Sequence, residues 1–448
     1  MQQPTDGFET QEGAVFRAGM FVSLRIRDFR LLWFSNLAAS FSMQMEMVAR
    51  GWLIYDMTRS PLDLTWVMLA YMLPVLVFSL AGGVMADRMR KKSIMVASQL
   101  LNGFVTVVLA FIIYSGDVTF AHFIYFGLFN GTVMSLGMPA RSAVIPEIVG
   151  EESIVNAMAL QSATYTLSRI LGPVAAGGLI AYFAAGDTSS TLGVGVVFYV
   201  IAALYIGCAI ATGLLHYTGS PESAATKGMI ADIVEGFQYL RDERIIVGLL
   251  IMGFLPMTFG YNVMFLLPVF NVDVLAGGPG DLSILVAAMG VGALIGSLVL
   301  ARLGDIGNKG RVLFLSAYFW AAFLLGFAIS ETLWSAMVFG TFAGLCGTVM
   351  GSLNMSIVQL ACRPEIRGRV MAIMWMTFGF MPLGLIPITL LAEIVNIEIA
   401  LVVSALLLAI TIVLLGMFYP ELKAIDKGHA KNEHGLNTST TKVADQTL

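Results

Sequence analysis

Glu46 and Arg50 stand four residues apart in the stretch LLWFSNLAASFSMQMEMVARGWLIY, which is otherwise uncharged and mostly apolar. A spacing of four puts both side chains on one face of a helix. A charge near the centre of a helix in lipid costs about 2.5–3.5 kcal/mol by insertion scales, so such residues need a reason to be there. Arg169, near the middle of a later apolar run, is the third residue to incur that cost. A desolvated carboxylate beside a cation can load and release a proton as its surroundings change. Glu46 is the one acid that this reading puts well inside the hydrocarbon layer. Glu46, Arg50 and Arg169 are therefore the proton-coupling candidates. The plainer alternatives are a static Glu46–Arg50 pair, or an Arg50 that snorkels to the interface.

A second cluster follows the next apolar run: Gly83, Asp87, Arg88, Lys91 and Lys92. It reads as a short loop, with Asp87 at the end of one helix and within reach of the start of a neighbouring one. A carboxylate near a helix N-terminus gains about 0.3–1 kcal/mol. A contact of that kind, made in one state and broken in the other, would act as a latch. The alternative is an ordinary basic loop that only sets topology. Asp305 and Lys309 repeat the acid and one base later in the chain, with Ile306 in the arginine's place.

The elements that must hold these residues follow from composition. Of 448 residues, 58% are hydrophobic and 12% charged, with a mean hydropathy of +0.83. Soluble domains carry about 25% charged residues, so soluble, disordered and disulfide-scaffold classes are excluded. Apolar runs of spanning length predict an all-α polytopic membrane protein with twelve helices. Their expected ranges are 31–55, 62–86, 93–114, 119–138, 156–183, 192–215, 245–270, 282–301, 312–330, 334–358, 370–394 and 399–419. Runs such as LVVSALLLAITIVLLGMF do not alternate, which rules against a β-barrel. Except for Arg50, Arg59 and Arg169, all of the 25 Lys and Arg residues fall on one side of this layout. By the positive-inside rule both termini are expected in the cytoplasm. The first 20 residues are polar with acidic groups, and no cleaved signal peptide is visible. Residues 1–23 read as a cytoplasmic tail, 216–243 as a central cytoplasmic loop, and 421–448 as a disordered tail.

Three weak internal matches share nearly one offset. LRIRDFR at 24–30 pairs with LRDERII at 240–246, a shift of 216. MADRMRKK at 85–92 pairs with LGDIGNKG at 303–310, and Pro146-Glu147-Ile148 with Pro364-Glu365-Ile366, both shifts of 218. The shared spacing predicts two pseudo-symmetric six-helix halves, 24–215 and 244–420, around a central cavity, the architecture of a secondary transporter.

With these residues in view, the chain resembles the major facilitator superfamily over about residues 24–420. The stretch Gly82 to Lys92 is similar to its G-x-x-x-D-R-x-G-R-K signature, with Arg90 where a glycine is usual. WLIYDMTRSP, MPARSAVIPEIVGEESIVNAMAL, SRILGPVAAGG and RPEIRGRVMAI resemble the transmembrane secretion effector subgroup that includes the bacterial enterobactin exporter. That subgroup often has Gln where Glu46 stands. The resemblance implies a rocker-switch carrier, proton-coupled and without ATP, and it assigns the gating role to Asp87 and Arg88. Gly172-Pro173 and Gly177-Gly178 resemble the antiporter signature G-P-x-x-G-G with one extra residue, which implies a hinge or seal in helix 5; simple small-residue packing is the alternative. Helices 1, 4, 7 and 10 would line the cavity, making Gln44, Asn130, Tyr261, Asn262 and Asn354 substrate-cavity candidates. Each of them could equally be an interhelical hydrogen bond.

The expected function is proton-coupled efflux of amphipathic small molecules, drugs or siderophore-like metabolites, from a bacterial inner membrane. Import of a small solute is the alternative, and a non-transporting scaffold or sensor of the same fold is the alternative of another class. An ATP-driven pump would need a G-x-x-x-x-G-K-[ST] loop, which is absent from the sequence. An intramembrane enzyme is disfavoured because His122, His216, His429 and His434 are scattered at interfaces or on the tail. Cys208, Cys346 and Cys362 have no C-x-x-C spacing, so neither disulfides nor metal ligation are expected. No cofactor and no nucleic acid are expected; the partners are lipid, protons and a small-molecule substrate, and the chain is expected to be a monomer.

Overall fold

The computed structural model describes residues 22–184, 191–217, 219, 243–303, 307–362, 370–371, 373–374 and 381–425. Their regular structure is helical, with no strand among them. In chain order the helices are α1 (Arg27–Thr58), α2 (Pro61–Arg88), α3 (Lys91–Tyr114), α4 (120–149), α5 (151–184), α6 (Thr191–Gly213), α7 (Arg244–Asp273, bent at Tyr261), α8 (Pro279–Leu303), α9 (Lys309–Ala328), α10 (Leu333–Ala361), α11 (Pro382–Ile394) and α12 (Ile397–Phe418). Nine helices among the described residues are long and apolar enough to cross a membrane, and Pro382–Ile394 is a shorter apolar helix. The layout is consistent with twelve crossings.

Local chemistry explains several ends. Ser60 caps α2 by accepting a hydrogen bond from the Asp63 N–H, with Pro61 in the first turn. Thr332 and Ser335 form a reciprocal capping box on α10. Asn396 caps α12 through the Ile399 N–H at 2.8 Å.

The largest departure from the expected boundaries is at α4. The expected end at 138, before Pro139, is wrong by about three turns: the helix runs through Pro139 and Pro146 to residue 149. A helix inside a bundle tolerates proline because neighbouring helices and side chains re-satisfy the freed carbonyls. The turn into α5 is a single residue, Gly150, at φ 68 and ψ 176, a conformation open in practice only to glycine. The expected loop 139–155 is therefore almost entirely helix. Asp305, the segment 363–369 with Arg363, Arg367 and Arg369, and most of both tails and of the central loop lie outside the described residues.

The chain forms two compact units, Met1–Ala225 with Ala276–Ala287, and Thr226–Leu275 with Ala288–Leu448. In the first, α2 packs closely on α4: the Tyr71 carbonyl occupies the space where a Cβ on Gly131 would sit, and the Ser135 carbonyl does the same at Gly82. In the second, α8 and α10 meet the same way, with Met289 O against Gly344 and Thr341 O against Gly292. Small residues let backbones approach where lipid supplies no hydrophobic drive. At the end of the first unit where α1 begins, Phe29, Leu32, Ile94, Met95, Ala140, Val144, Ile145, Val149, Ala157 and Leu215 form one buried cluster.

These contacts give a stability prediction. Gly131→Leu and Gly344→Leu, which drive side chains into backbone, should each cost about 1–3 kcal/mol. Gly207→Ala, with no atom within 4 Å of the new Cβ, should not destabilise. Thermal unfolding in detergent checks this; equal midpoints for all three variants would contradict it.

Candidate functional site

The Glu46–Arg50 pair forms within α1. Arg50 Nη1 lies 2.8 Å from Glu46 Oε1, with side-chain exposures of 19% and 8%. The Arg50 guanidinium also sits over the Tyr71 ring of α2, 5.9 Å from its centroid. Met45, Val48, Ala49 and Trp52 around the pair are buried. Because acid and base share one helix, parting them breaks no tie between helices. The arrangement can hold a charged pair, or a neutral carboxyl beside a cation still held by an aromatic face.

A second polar cluster was not anticipated. Arg141, grouped by sequence with the basic residues of one membrane side, lies inside α4 and reaches across to α1. Its Nε donates to Asn36 Oδ1 at 2.6 Å and its Nη2 to the Ser35 carbonyl at 3.3 Å. Asn36 Nδ2 donates to Gln161 Oε1 on α5 at 3.1 Å. Gln99 Nε2 on α3 donates to Ser35 Oγ at 3.1 Å, and Ser35 Oγ lies 3.1 Å from Thr212 Oγ1 on α6. One network thus joins five helices. The signal in the sequence was the row of polar residues Ser35, Asn36, Gln99 and Gln161 within apolar runs, but their convergence is a product of packing.

The expected loop at 83–92 is mostly helix. Gly83, Asp87 and Arg88 lie in the last turns of α2, Lys91 and Lys92 open α3, and only Met89 and Arg90 connect them. The surroundings of Gly83 and the side chain of Asp87 lie outside the described residues. Arg88 is exposed. Lys91 is buried and ion-paired with Glu147 of α4, and Lys92 Nζ donates to the Leu215 carbonyl at 2.6 Å. Beside them the Asp28 carboxylate accepts the backbone N–H groups of His216 and Tyr217 at 3.2 and 2.8 Å, which fastens the exit of α6 to the start of α1. Lys309 opens α9 and is half-buried.

On α5, a Cβ at Gly172 would come within 2.7 Å of Gln44 Cβ, so this glycine seats α5 against α1. Pro173 continues the helix. At Gly177 the Ser283 side chain and the Pro279 carbonyl, in the Ala276–Ala287 segment of the same compact unit, fill the Cβ position. Gly178 faces open space. Arg169 is half-buried, and among the described residues no carboxylate lies within ion-pair distance of it.

The remaining polar candidates are buried, except Tyr261, which is half-buried. Gln44 and Asn130 are 5% and 3% exposed, and Asn130 Nδ2 has no hydrogen-bond partner. Asn262 Nδ2 donates to Ser404 Oγ of α12 at 3.0 Å, and Ser404 Oγ donates to the Phe259 carbonyl at 2.6 Å, which ties down the bend in α7. Tyr261 meets Trp320 edge-on, with centroids 5.8 Å apart. Neither amide atom of Asn354 has a hydrogen-bond partner, and a Cβ at Gly253 of α7 would lie 2.9 Å from its Nδ2. No group of three or more His, Cys, Asp or Glu that could hold a metal occurs among the described residues.

The comparisons with known proteins accord with this architecture. A multidrug efflux pump, Tap, of Mycolicibacterium fortuitum is 26% identical over 414 residues, covering 88% of this chain and 96% of its own. The staphyloferrin A transporter of Staphylococcus aureus is 23% identical over 353 residues, with 78% and 86% covered. Among solved structures, the nucleoside transporter NupG superposes with a TM-score of 0.67 at 14% identity, covering 88% of this chain and 99% of its own, which establishes a shared fold. The model of the transmembrane secretion effector family matches residues 18–444. With that match spanning nearly the whole helical chain, the protein belongs to the transmembrane secretion effectors of the major facilitator superfamily and is a multi-pass membrane transporter, not an enzyme.

Proposed function

We propose that this chain is a proton-coupled exporter of amphipathic small molecules, drugs or siderophore-like metabolites, working by alternating access in a bacterial inner membrane with both termini in the cytoplasm. The observation that carries this reading is Glu46, a carboxylate 6% exposed in the interior of the 32-residue helix α1, whose one ionic partner among the described residues is Arg50, one turn away. A protein pays heavily for such a group, and a carboxyl that trades its ion pair for a proton is a direct return on that cost. The efflux and siderophore-transport relatives support the direction and substrate class. The one-sided distribution of Lys and Arg supports the orientation.

In this cycle Glu46 takes a proton while its site faces the outside and separates from Arg50. It returns the proton after reorientation and re-forms the pair as substrate loads from the inside. Tyr71 keeps Arg50 in place throughout. Asp87 and Arg88, at the end of α2, act as the gate; the pair of buried Lys91 with Glu147 and the Asp28 clamp hold that end of the first unit rigid enough for the gate to act on it.

Two outcomes are expected. Glu46→Gln should abolish pH-gradient-driven counterflow in proteoliposomes while leaving substrate affinity within about twofold; undiminished coupling would remove Glu46 from the mechanism. Asp87→Asn should slow turnover and enlarge the inward-open population, read as a shift in a double-label distance distribution, and an unshifted distribution would count against the gate. Direction is tested by uptake into inverted vesicles under an imposed proton gradient, screened over dyes, antibiotics and catecholate compounds. Uptake of one of them supports export; acidification-driven loss from the same vesicles would favour import.

A further inference from the structure

Helix α5 has two exposed faces of opposite character. Along one, Leu167, Leu171, Val174, Gly178 and Tyr182 recur every three or four residues, as a lipid-facing stripe should. Along the other, at the same helical spacing, stand Met158, Ser162, Tyr165 and Arg169; Met158 is 52% and Tyr165 44% exposed, and Arg169 is half-buried. Arg169 lies near the midpoint of α5, where a guanidinium facing hydrocarbon would be costly, which favours water over lipid along this second face. The first unit supplies no acid to neutralise it among the described residues. Glu46 pairs with Arg50, Glu147 with Lys91, and Asp56 with Arg59. Arg141 spends its donors on Asn36 and Ser35 instead.

We infer that Arg169 is a substrate-binding residue, and that the Met158–Ser162–Tyr165–Arg169 face of α5 holds an amphipathic organic anion, its carboxylate or similar oxyanion on Arg169 and its apolar body against Tyr165 and Met158. A planar guanidinium matches an oxyanion with two parallel hydrogen bonds. Tyr165, one turn away, offers a ring for stacking, and the pliable Met158 adapts to varied shapes. Ser162, between them, adds a hydroxyl. A mobile anion supplies the counter-charge that no described residue provides. The inference rests on the transport reading above, since it names the class of molecule that the carrier takes.

The test uses full-length protein in nanodiscs and a matched probe pair, 1-pyrenebutyrate and its methyl ester, with binding read by energy transfer from tryptophan to pyrene and corrected with empty discs. The acid should bind at least about tenfold more tightly than the ester. Arg169→Gln should erase that preference by weakening the acid alone, and Arg169→Lys should restore part of it. Unchanged ester binding in Arg169→Gln serves as the check that the variant is folded. Equal affinities in the wild-type protein, failure of the acid to bind, an unchanged ratio in Arg169→Gln, or a parallel loss of acid and ester overturns the site. Dye export that persists in Arg169→Gln vesicles while the acid preference was never present would sink the anion site and leave the exporter standing; loss of all transport in wild-type vesicles with the acid preference intact would do the reverse.

Discussion

Hydrocarbon offers no hydrogen bonds, and nearly every feature of this protein answers to that fact. Backbone polar groups must be satisfied within the segment that carries them, which makes the spans helical. Lipid also gives helices no hydrophobic reason to associate, so they are held by close backbone approach and by polar ties. Both devices are present in each compact unit: carbonyls of Tyr71 and Ser135 against Gly131 and Gly82 in one, carbonyls of Met289 and Thr341 against Gly344 and Gly292 in the other. The Arg141 network adds a tie among five helices that no apolar packing could replace.

The same constraint sorts the charged groups by purpose. Lys91 with Glu147, and Asp28 with two backbone N–H groups, are satisfied across elements and brace one end of the first unit. Glu46 and Arg50 are satisfied within one helix, so their separation leaves the packing intact. Arg169 has neither kind of partner among the described residues. Lys91 and Arg141 are tied across helices, whereas the Glu46–Arg50 pair is tied within one; on that distinction the charges of α1 stand apart from those of α3 and α4.

Much of the fold was legible from sequence because hydropathy and charge placement are one-dimensional signals. The spans at 93–114, 192–215 and 399–419 agree with α3, α6 and α12 to within a few residues. The failure at α4 has a clear cause. Pro139 and Pro146 are strong helix stops in water, and the rule that suspends them depends on neighbours the sequence does not list. Arg141 was placed with the basic residues of one membrane side for the same reason: its charge was visible, its reach to Asn36 was not. The buried polar residues divide likewise. Asn262 is an interhelical hydrogen bond to Ser404, whereas Asn354 stays unsatisfied, and identical side chains in similar apolar runs gave no warning of the difference.

By itself the amino-acid order determined what local periodicity and composition can encode: an all-helical membrane chain, a one-sided distribution of basic residues, and Glu46 one turn from Arg50 on a shared face. Tertiary structure alone decided which charges are answered across helices and which are not: Lys91 by Glu147, Arg141 by neutral oxygens, Arg169 by no described carboxylate. The reason is range. A partner four residues away follows from helix geometry, while a partner a hundred residues away follows only from how closely two helices pack, and that depends on glycines and carbonyls meeting in space.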